Sequence, residues 1–551
     1  MMTSVVEYVL SRLYDLGIRD IFGVPGDYAF PIEDAVCADP RLRWVGNCNE
    51  LNAAYAADGY ARIQGMAALS TTFGVGELSA LNGIAGAYAE SLPLFHLVGM
   101  PASAVQAAGK LVHHTLGDGD FSHFAHASAA FVCASAILTP ENCVVELARL
   151  IDAALRYRKP VYIGIPCDYA VMPINTSTVP LSTPLHSDPQ VLAEVSARIV
   201  ERLKQSQQAC ALPGIYLTRH QVRQAAQNLI EAANLCFATM IMDKGVLDES
   251  HPNYIGMYNG QLLNPEVRDF VESCDCVLLM GTLLSDFNSG GFTARLDPTR
   301  CITLMPESVR IGATEYLQVR MEDVLNAVVQ QVSPLPRPTE APQPQPLAAV
   351  NASGAINASY LYARWQQMLR PHDIVVAETG TVSMGLSFAL LPPGASFHNQ
   401  TLWGAIGWAT PAALGCALAS PTQRTLLLSG EGAHQLTVQE ISQFARHGVK
   451  PIIFILNNDG YLIERLLCQD GEAGYNNLVP WQYAQLPQAL GCQGWFCARV
   501  TTCEALDEAI RHAEQCDRGA YIEVITGEYV APPLAEKMHH AMASLYHDHA
   551  G

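Results

Sequence analysis

Val5, Val6, Val9, Leu10, Leu13 and Leu16 recur three and four positions apart, with Glu7, Arg12 and Asp15 between them. That spacing predicts an amphipathic helix at the start of the chain. Short apolar runs at 67–72, 94–98 and 161–165 predict buried strands, and the longer segments 76–90 and 143–156 predict helices between them. After Pro166 the pattern loosens, and Pro173, Pro180, Pro184 and Pro189 predict a linker. A second alternating stretch follows, with strands expected near 236–241 and 277–284. The segment from Ser333 to Ala349 (SPLPRPTEAPQPQPLAA) holds six prolines and no apolar period, so it is expected to be an extended connection. The last third restarts with a helix at 358–369 and strands at 374–377, 425–428 and 452–456. Strands alternating with helices predict an α/β fold of three domains, each a parallel sheet flanked by helices. The expected boundaries are 1–180, 190–332 and 353–551, with a proline-rich linker at 333–352. No repeat of solenoid length is present.

Composition narrows the classes. The chain has 551 residues, 50% of them hydrophobic and 15% charged, so it is expected to fold into packed domains rather than remain disordered. Its 32 basic and 52 acidic residues give a net charge of −20, which disfavours nucleic acid and anionic membranes as partners. The first helix lacks the basic start and continuous apolar stretch of a signal peptide, and no apolar run is long enough to span a bilayer. Sixteen cysteines are scattered from Cys37 to Cys516 without a CxxC pair, the pattern of reduced thiols rather than a disulfide framework. Cys274 and Cys276 sit in an apolar run read as one buried strand. A cytoplasmic location is therefore expected, and the sequons at Asn175, Asn351 and Asn357 are read as chance matches.

Candidate chemistry is concentrated at two places. In the last third, strand residues run into Gly430-Glu431-Gly432, with a helix expected from Leu436, and a second strand runs into Asn457-Asn458-Asp459-Gly460-Tyr461. Glycine after a strand lets backbone approach an anion, and the next helix offers free N–H groups. Glu431 and Asn458 are hard oxygen donors suited to Mg²⁺ against a diphosphate; two ordinary strand-to-helix turns would give the same text. In the first third, Asp27 follows Val24-Pro25-Gly26, Glu50 opens an alanine-rich segment after Asn49, and 113–126 contains His113, His114, His123 and His126 with Asp118 and Asp120. A turn-stabilising aspartate, a helix-opening acid and a transition-metal cluster are the alternatives there. Neighbouring His113 and His114 argue against one shared ion. Glu464 follows Leu462 and Ile463 and reads equally as a solvated helix start.

Taken together these motifs resemble the thiamine diphosphate-dependent 2-oxo-acid decarboxylases, above all pyruvate and indolepyruvate decarboxylases. The resemblance runs from the first helix to about Pro532. It implies a pyrimidine-binding first domain, a Rossmann-like middle domain and a diphosphate-binding last domain. It implies Mg²⁺ on Glu431, Asn458 and the Gly460 carbonyl, although Glu431 stands where the family usually has Asp. It implies Asp27, Glu50, His113, His114 and Glu464 as catalytic residues. Glu50 would also bind the cofactor's pyrimidine and help generate the ylid, Ile406 would wedge between the two rings, and Asp27, His113 and His114 would relay protons. The remaining cofactor contacts implied are Thr379, Gly380, Thr381, Gly404, Gly430, Gly432, Ala433, Tyr461, Leu462 and Ile463. The family's site is shared between subunits, so a homodimer is the least working unit implied and a homotetramer is common.

The substrate implied is a small-molecule 2-oxo acid. Ala377-Glu378-Thr379-Gly380-Thr381 and Leu284-Ser285-Asp286-Phe287-Asn288 resemble pyruvate decarboxylases, whereas small Ser383 and Gly117-Asp118-Gly119-Asp120 are similar to indolepyruvate and branched-chain enzymes. Pyruvate is expected to be favoured, with larger or aromatic acids tolerated. The competing readings are an acetolactate synthase or benzoylformate decarboxylase-like enzyme, and a non-catalytic sensor of a diphosphate cofactor. Acetolactate synthases usually lack the paired histidines.

Overall fold

The computed structural model describes residues 3–175, 185–348 and 351–538. Three sheets carry the architecture. In the first, six parallel strands run in the spatial order Arg43–Gly46, Asp20–Gly23, Ala67–Thr72, Leu94–Met100, Val161–Pro166 and Ala134–Ile137. In the third, six parallel strands run Ser396–His398, Ile374–Ala377, Thr425–Gly430, Ile452–Asn457, Ala520–Ile525 and Phe496–Val500. Their central strands are buried on both faces, which is why they read as unbroken apolar runs.

The middle sheet departs from the all-parallel expectation. Its seven strands begin with parallel pairs, but Cys301–Met305, Ser308–Ile311 and Thr314–Leu317 form an antiparallel meander. The connections are Pro306-Glu307 and Gly312-Ala313, and two residues cannot make the crossover that a parallel pair needs. Cys276 opens the strand Cys276–Met280, whereas Cys274 ends the preceding helix, so the two cysteines do not share one strand. That strand stops before Gly281 (φ +69°), four residues short of the run's apolar end. All sixteen cysteines are free thiols.

The expected first linker is partly structured. A short helix Cys167–Ala170 is followed by Pro173–Ile174, which pairs antiparallel with Thr3–Ser4. Pro189 opens the helix Pro189–Gln205 behind its Asp188 cap, since a missing N–H costs nothing in a first turn. Pro180 and Pro184 lie outside the described residues. The second linker has no helix or strand across its described part but is pinned along its length. Leu335 N–H donates to Ala233 O (2.9 Å), Asn234 donates to Leu335 O (3.0 Å), and Leu347 N–H donates to Gln366 Oε1 (3.0 Å). Asn357, a sequon by spelling, caps the helix Ala358–Met368 by accepting from Tyr360 N. Among the described residues no helix is long and apolar enough to cross a membrane.

The first and third sheets are joined through two helices, Glu50–Gln64 and Ala409–Ala419, which cross within one core. A Cβ on Gly59 would overlap the Ala412 carbonyl, and one on Gly415 would overlap that of Ala56. Close approach of the two backbones therefore requires glycine at both positions.

Candidate functional site

Two clusters of polar residues sit at the carboxyl ends of the outer sheets' strands, where open parallel sheets place their ligands. The first is built by the turn after strand Asp20–Gly23. Gly26 lies so close to Thr72 that any side chain would collide, and its N–H donates to Glu33 (3.2 Å). Burial pushes the Glu33 carboxyl up to about 7, while the Gly26 hydrogen bond opposes the shift. This fixes Asp27, whose Oδ2 is 2.7 Å from His113 Nε2, both side chains being about half exposed. The His113 ring stacks on Tyr28 (4.9 Å between centroids) and meets His114 edge-on at 4.7 Å. His114 takes a positive φ of +63°, and its carbonyl abuts Gly74, where no Cβ would fit. One donor atom each from Asp27, His113 and His114 falls within 4.8 Å of the others. His123 turns away to Asp118 (2.7 Å) and Asp120 (3.7 Å), so the four histidines do not gather on one ion.

Glu50 begins its helix beside Asn49, whose side chain caps it by accepting from Asn52 N (2.8 Å). Within one chain Glu50 is half-buried, less enclosed than the dry setting expected of it.

The second cluster surrounds strands Thr425–Gly430 and Ile452–Asn457. Contrary to the sequence expectation, the helix starts at Glu431 and not at Leu436, with Gly430 as its cap. The small and polar residues Gly432, Ala433 and His434 conceal the helix in the sequence because its buried face packs closely: a side chain on Gly432 would strike the Tyr461 ring. Glu431 is 2% exposed, and its Oε1 accepts from Asn458 N (3.1 Å) and Gly460 N (2.9 Å). Burial pushes this carboxyl up to about 7, against the pull of those hydrogen bonds.

The Asn458 carboxamide aims one atom at Gly460 O (2.9 Å) and Glu431 Oε1 (3.1 Å). Placed as oxygen, three oxygens converge with no proton between them; placed as nitrogen, the amide donates to both. Oxygens bound at about 2.1 Å in an octahedron lie about 3.0 Å apart, which the two distances from the Asn458 atom match. An added Cβ on Gly430 would meet nothing within 4 Å, so the backbone beside Glu431 is open to approach.

Sequence profiles of known families match the chain in three blocks. The thiamine pyrophosphate enzyme N-terminal TPP binding domain matches residues 3–123, the central domain residues 196–332, and the C-terminal TPP binding domain residues 378–524. The chain belongs to the thiamine pyrophosphate enzymes. It is 39% identical over 541 residues to an alpha-keto-acid decarboxylase of Mycobacterium leprae (strain TN), covering 96% of this chain and 94% of that one. To the alpha-keto-acid decarboxylase of Mycobacterium tuberculosis (strain ATCC 25618 / H37Rv) it is 37% identical over 549 residues, covering 98% and 97%. It is a thiamine diphosphate-dependent 2-oxo-acid decarboxylase. A thiamin diphosphate-dependent enzyme from Mycobacterium smegmatis superposes with a TM-score of 0.77 at 18% identity, over 95% of this chain and 99% of that one, a likeness of fold.

In this enzyme Thr379, Gly380 (φ +117°) and Thr381 open the helix Thr381–Leu386, and Gly404 (φ +68°) and Ile406 lie in the turns before Ala409–Ala419. Tyr461, Leu462 and Ile463 lead into Leu462–Leu467, which carries an exposed Glu464. Sequence reasoning missed three residues that hold these turns. Arg465 donates to Asn458 O (3.2 Å) and Asp459 O (2.6 Å), bracing the turn in which Asp459 has a φ of +61°. Glu440, fully buried, accepts from Asn47 (2.7 Å), Asn52 (2.8 Å) and Cys48 N (3.2 Å), fastening the Glu50 segment to the last domain. Glu378 is the third. The partners of Glu440 lie up to 393 positions away, so no local motif announces it, while Glu378 and Arg465 sit inside or beside quoted motifs that gave them no role.

Proposed function

We propose that the enzyme decarboxylates 2-oxo acids non-oxidatively to an aldehyde and CO₂, with pyruvate favoured and larger or aromatic acids such as phenylpyruvate and indolepyruvate tolerated. Thiamine diphosphate, when bound, supplies the electron sink that lets an acyl carbon part from CO₂. The chain's own residues would do the rest. Glu431, Asn458 and the Gly460 carbonyl would hold Mg²⁺; the convergence of their oxygens supports this, and Glu431 in place of the usual Asp still reaches that face. Thr379, Gly380, Thr381, Gly430, Gly432, Ala433, Tyr461, Leu462 and Ile463 would line the diphosphate end. Glu50 would hold the pyrimidine end with its carboxyl, and Ile406 would support the bend between.

The observation that carries an aldehyde product is the Asp27–His113 pair at 2.7 Å with His114 against it. An imidazole hydrogen-bonded to a carboxylate can keep a proton and return it. Glu464, at the helix start above the metal turn, would face the substrate carboxylate. Around that helix an apolar shell of Met384, Leu462, Leu534 and Met538, with Phe287 and Ile463, would take the acid's side chain. Ser383, tied to Gly380 O (3.0 Å), is a small side chain beside Met384, and its size supports tolerance of larger acids.

The two clusters belong to different ends of the chain, and an apolar belt runs between them. Exposed Val75 and Leu78 share a helix with Asn82, which accepts from Trp403 Nε1 (3.0 Å); Leu436 lies against Gly407, and Gln435 donates to Val479 O (3.0 Å). Trp403, Leu436 and Val479 are themselves 40–69% exposed. Such a belt marks a protein interface. It supports a homodimer that closes each site, with a dimer of dimers as the larger assembly.

Steady-state assays of CO₂ and aldehyde with pyruvate, 2-oxobutyrate, phenylpyruvate and indolepyruvate test this reading. Pyruvate is expected to give the highest kcat/KM. Acetolactate as the product, or pyruvate as the poorest substrate, would overturn it.

A further inference from the structure

Glu378 follows the strand Ile374–Ala377 and is 0% exposed. Its Oε1 accepts from Thr379 N (3.1 Å), and its Oε2 accepts from Ala409 N (3.2 Å) and Ser429 Oγ (3.4 Å). These donors come from three separate segments. Thr379 begins the turn through Gly380 and Thr381, Ala409 closes the segment carrying Gly404 and Ile406, and Ser429 immediately precedes Gly430-Glu431. An added Cβ on Gly430, and likewise on Gly404, would meet nothing within 4 Å. Burial pushes this carboxyl up to about 7 against the pull of its hydrogen bonds, and an unprotonated oxygen is what each of the two backbone N–H groups requires, with the Ser429 hydroxyl shared between Glu378 and Gly430 O (3.2 Å).

We propose that Glu378 is a positioning residue, which ties the three loops of the coenzyme cradle into one unit and so sets coenzyme affinity and the placement of Ile406 and Glu431. It touches neither coenzyme nor substrate. The inference rests on the reading that these loops hold thiamine diphosphate. A carboxamide cannot replace the carboxylate, because its NH₂ would confront one of the donors whichever way it turned.

The test uses the full chain as wild type, Glu378→Gln and Ser429→Ala. Thiamine diphosphate affinity is measured in excess Mg²⁺ by quenching of tryptophan fluorescence, and pyruvate kinetics at saturating coenzyme. For Glu378→Gln, coenzyme affinity is expected to fall by on the order of 10–100-fold, the range for removing a residue that orients a ligating group. Its kcat is expected to fall by a larger factor than the pyruvate KM changes, since Ser383 and Met384 are reached only indirectly, through the helix Thr381–Leu386. Ser429→Ala, which removes one of the three donors, is expected to weaken coenzyme binding in the same direction. A folded Glu378→Gln with a lowered melting temperature but unchanged coenzyme affinity would reduce Glu378 to a core residue and overturn the proposal. If Glu378→Gln does not fold, unchanged affinity in Ser429→Ala does the same. Failure of the wild type to bind thiamine diphosphate would strike the cradle assignment itself, and is told apart because it needs no variant.

Discussion

Glu77 shows how burial of one carboxyl makes stability depend on pH. It is 0% exposed, accepts from Gly74 N at 2.9 Å, and is pushed up to about 7 by burial against the pull of that hydrogen bond. Between its unfolded value of 4.5 and about 7, the folded chain holds a proton that the unfolded chain has lost. Its contribution is therefore fully present below 4.5 and is lost as pH rises through about 7. The loss is about 3 kcal/mol at most. Glu77→Gln is expected to be less sensitive to pH than the wild type in denaturant unfolding between pH 5 and 8; parallel stability curves would refute this. The same residue scale decides what could be read from the text. Asp27, Glu50, His113, His114, Glu431, Asn458 and Glu464 sit in short motifs, and it is those motifs that carry the resemblance. Glu378, Glu440 and Arg465 are defined by the groups they hydrogen-bond, some hundreds of positions away, and a Glu or Arg in the text carries no mark of a buried partner.

At the scale of elements, the crossing of Glu50–Gln64 with Ala409–Ala419 governs both clusters at once. Glu50 opens the first of these helices and Ile406 lies just before the second, so their separation sets where both residues stand. The contact is made by Gly59 and Gly415, with Cys416 Sγ donating to Gly59 O (3.2 Å) and Trp408 Nε1 to Asp58 (2.9 Å). Gly415→Ala must push the helices apart against a packed core, at a cost of about 1–3 kcal/mol or more. It is expected to lower the melting temperature and to reduce kcat more than the pyruvate KM. A variant as stable and active as the wild type would show that the crossing is slack. The elements legible beforehand were those with one dominant signal: 67–72 and 374–377 are strands at the predicted residues because both faces are buried. The meander from 301 to 317 escaped because its last two strands are half exposed and short. The helix at Glu431 escaped because glycine and buried polar residues fill positions that usually carry apolar side chains.

At the scale of the whole molecule, the two clusters lie in different domains of one chain. Asp27, Glu50 and His113 stand at the end of the first sheet and Glu431 and Asn458 at the end of the third, and Val75, Leu78, Trp403, Leu436 and Val479 are large apolar side chains left exposed in one chain. A two-fold dimer pairs the same patch with itself, so each first-domain cluster would complete the other chain's third-domain cluster twice over. This arrangement has a consequence that no single-chain site shares. Glu50→Gln and Glu431→Ala are each expected to leave a folded dimer with almost no turnover, the first by losing the pyrimidine contact and the second by losing the metal. When the two variants are co-expressed and assemble at random, half of the dimers are mixed. In a mixed dimer both lesions fall into one site and the other site is intact, so activity is expected to recover to about a quarter of the wild-type value per total protein. Were each site made within one chain, every chain would carry one lesion and mixing would restore nothing. Activity of the separately purified variants, of the co-expressed pair and of the wild type, with sedimentation to verify dimers in each, decides between the two.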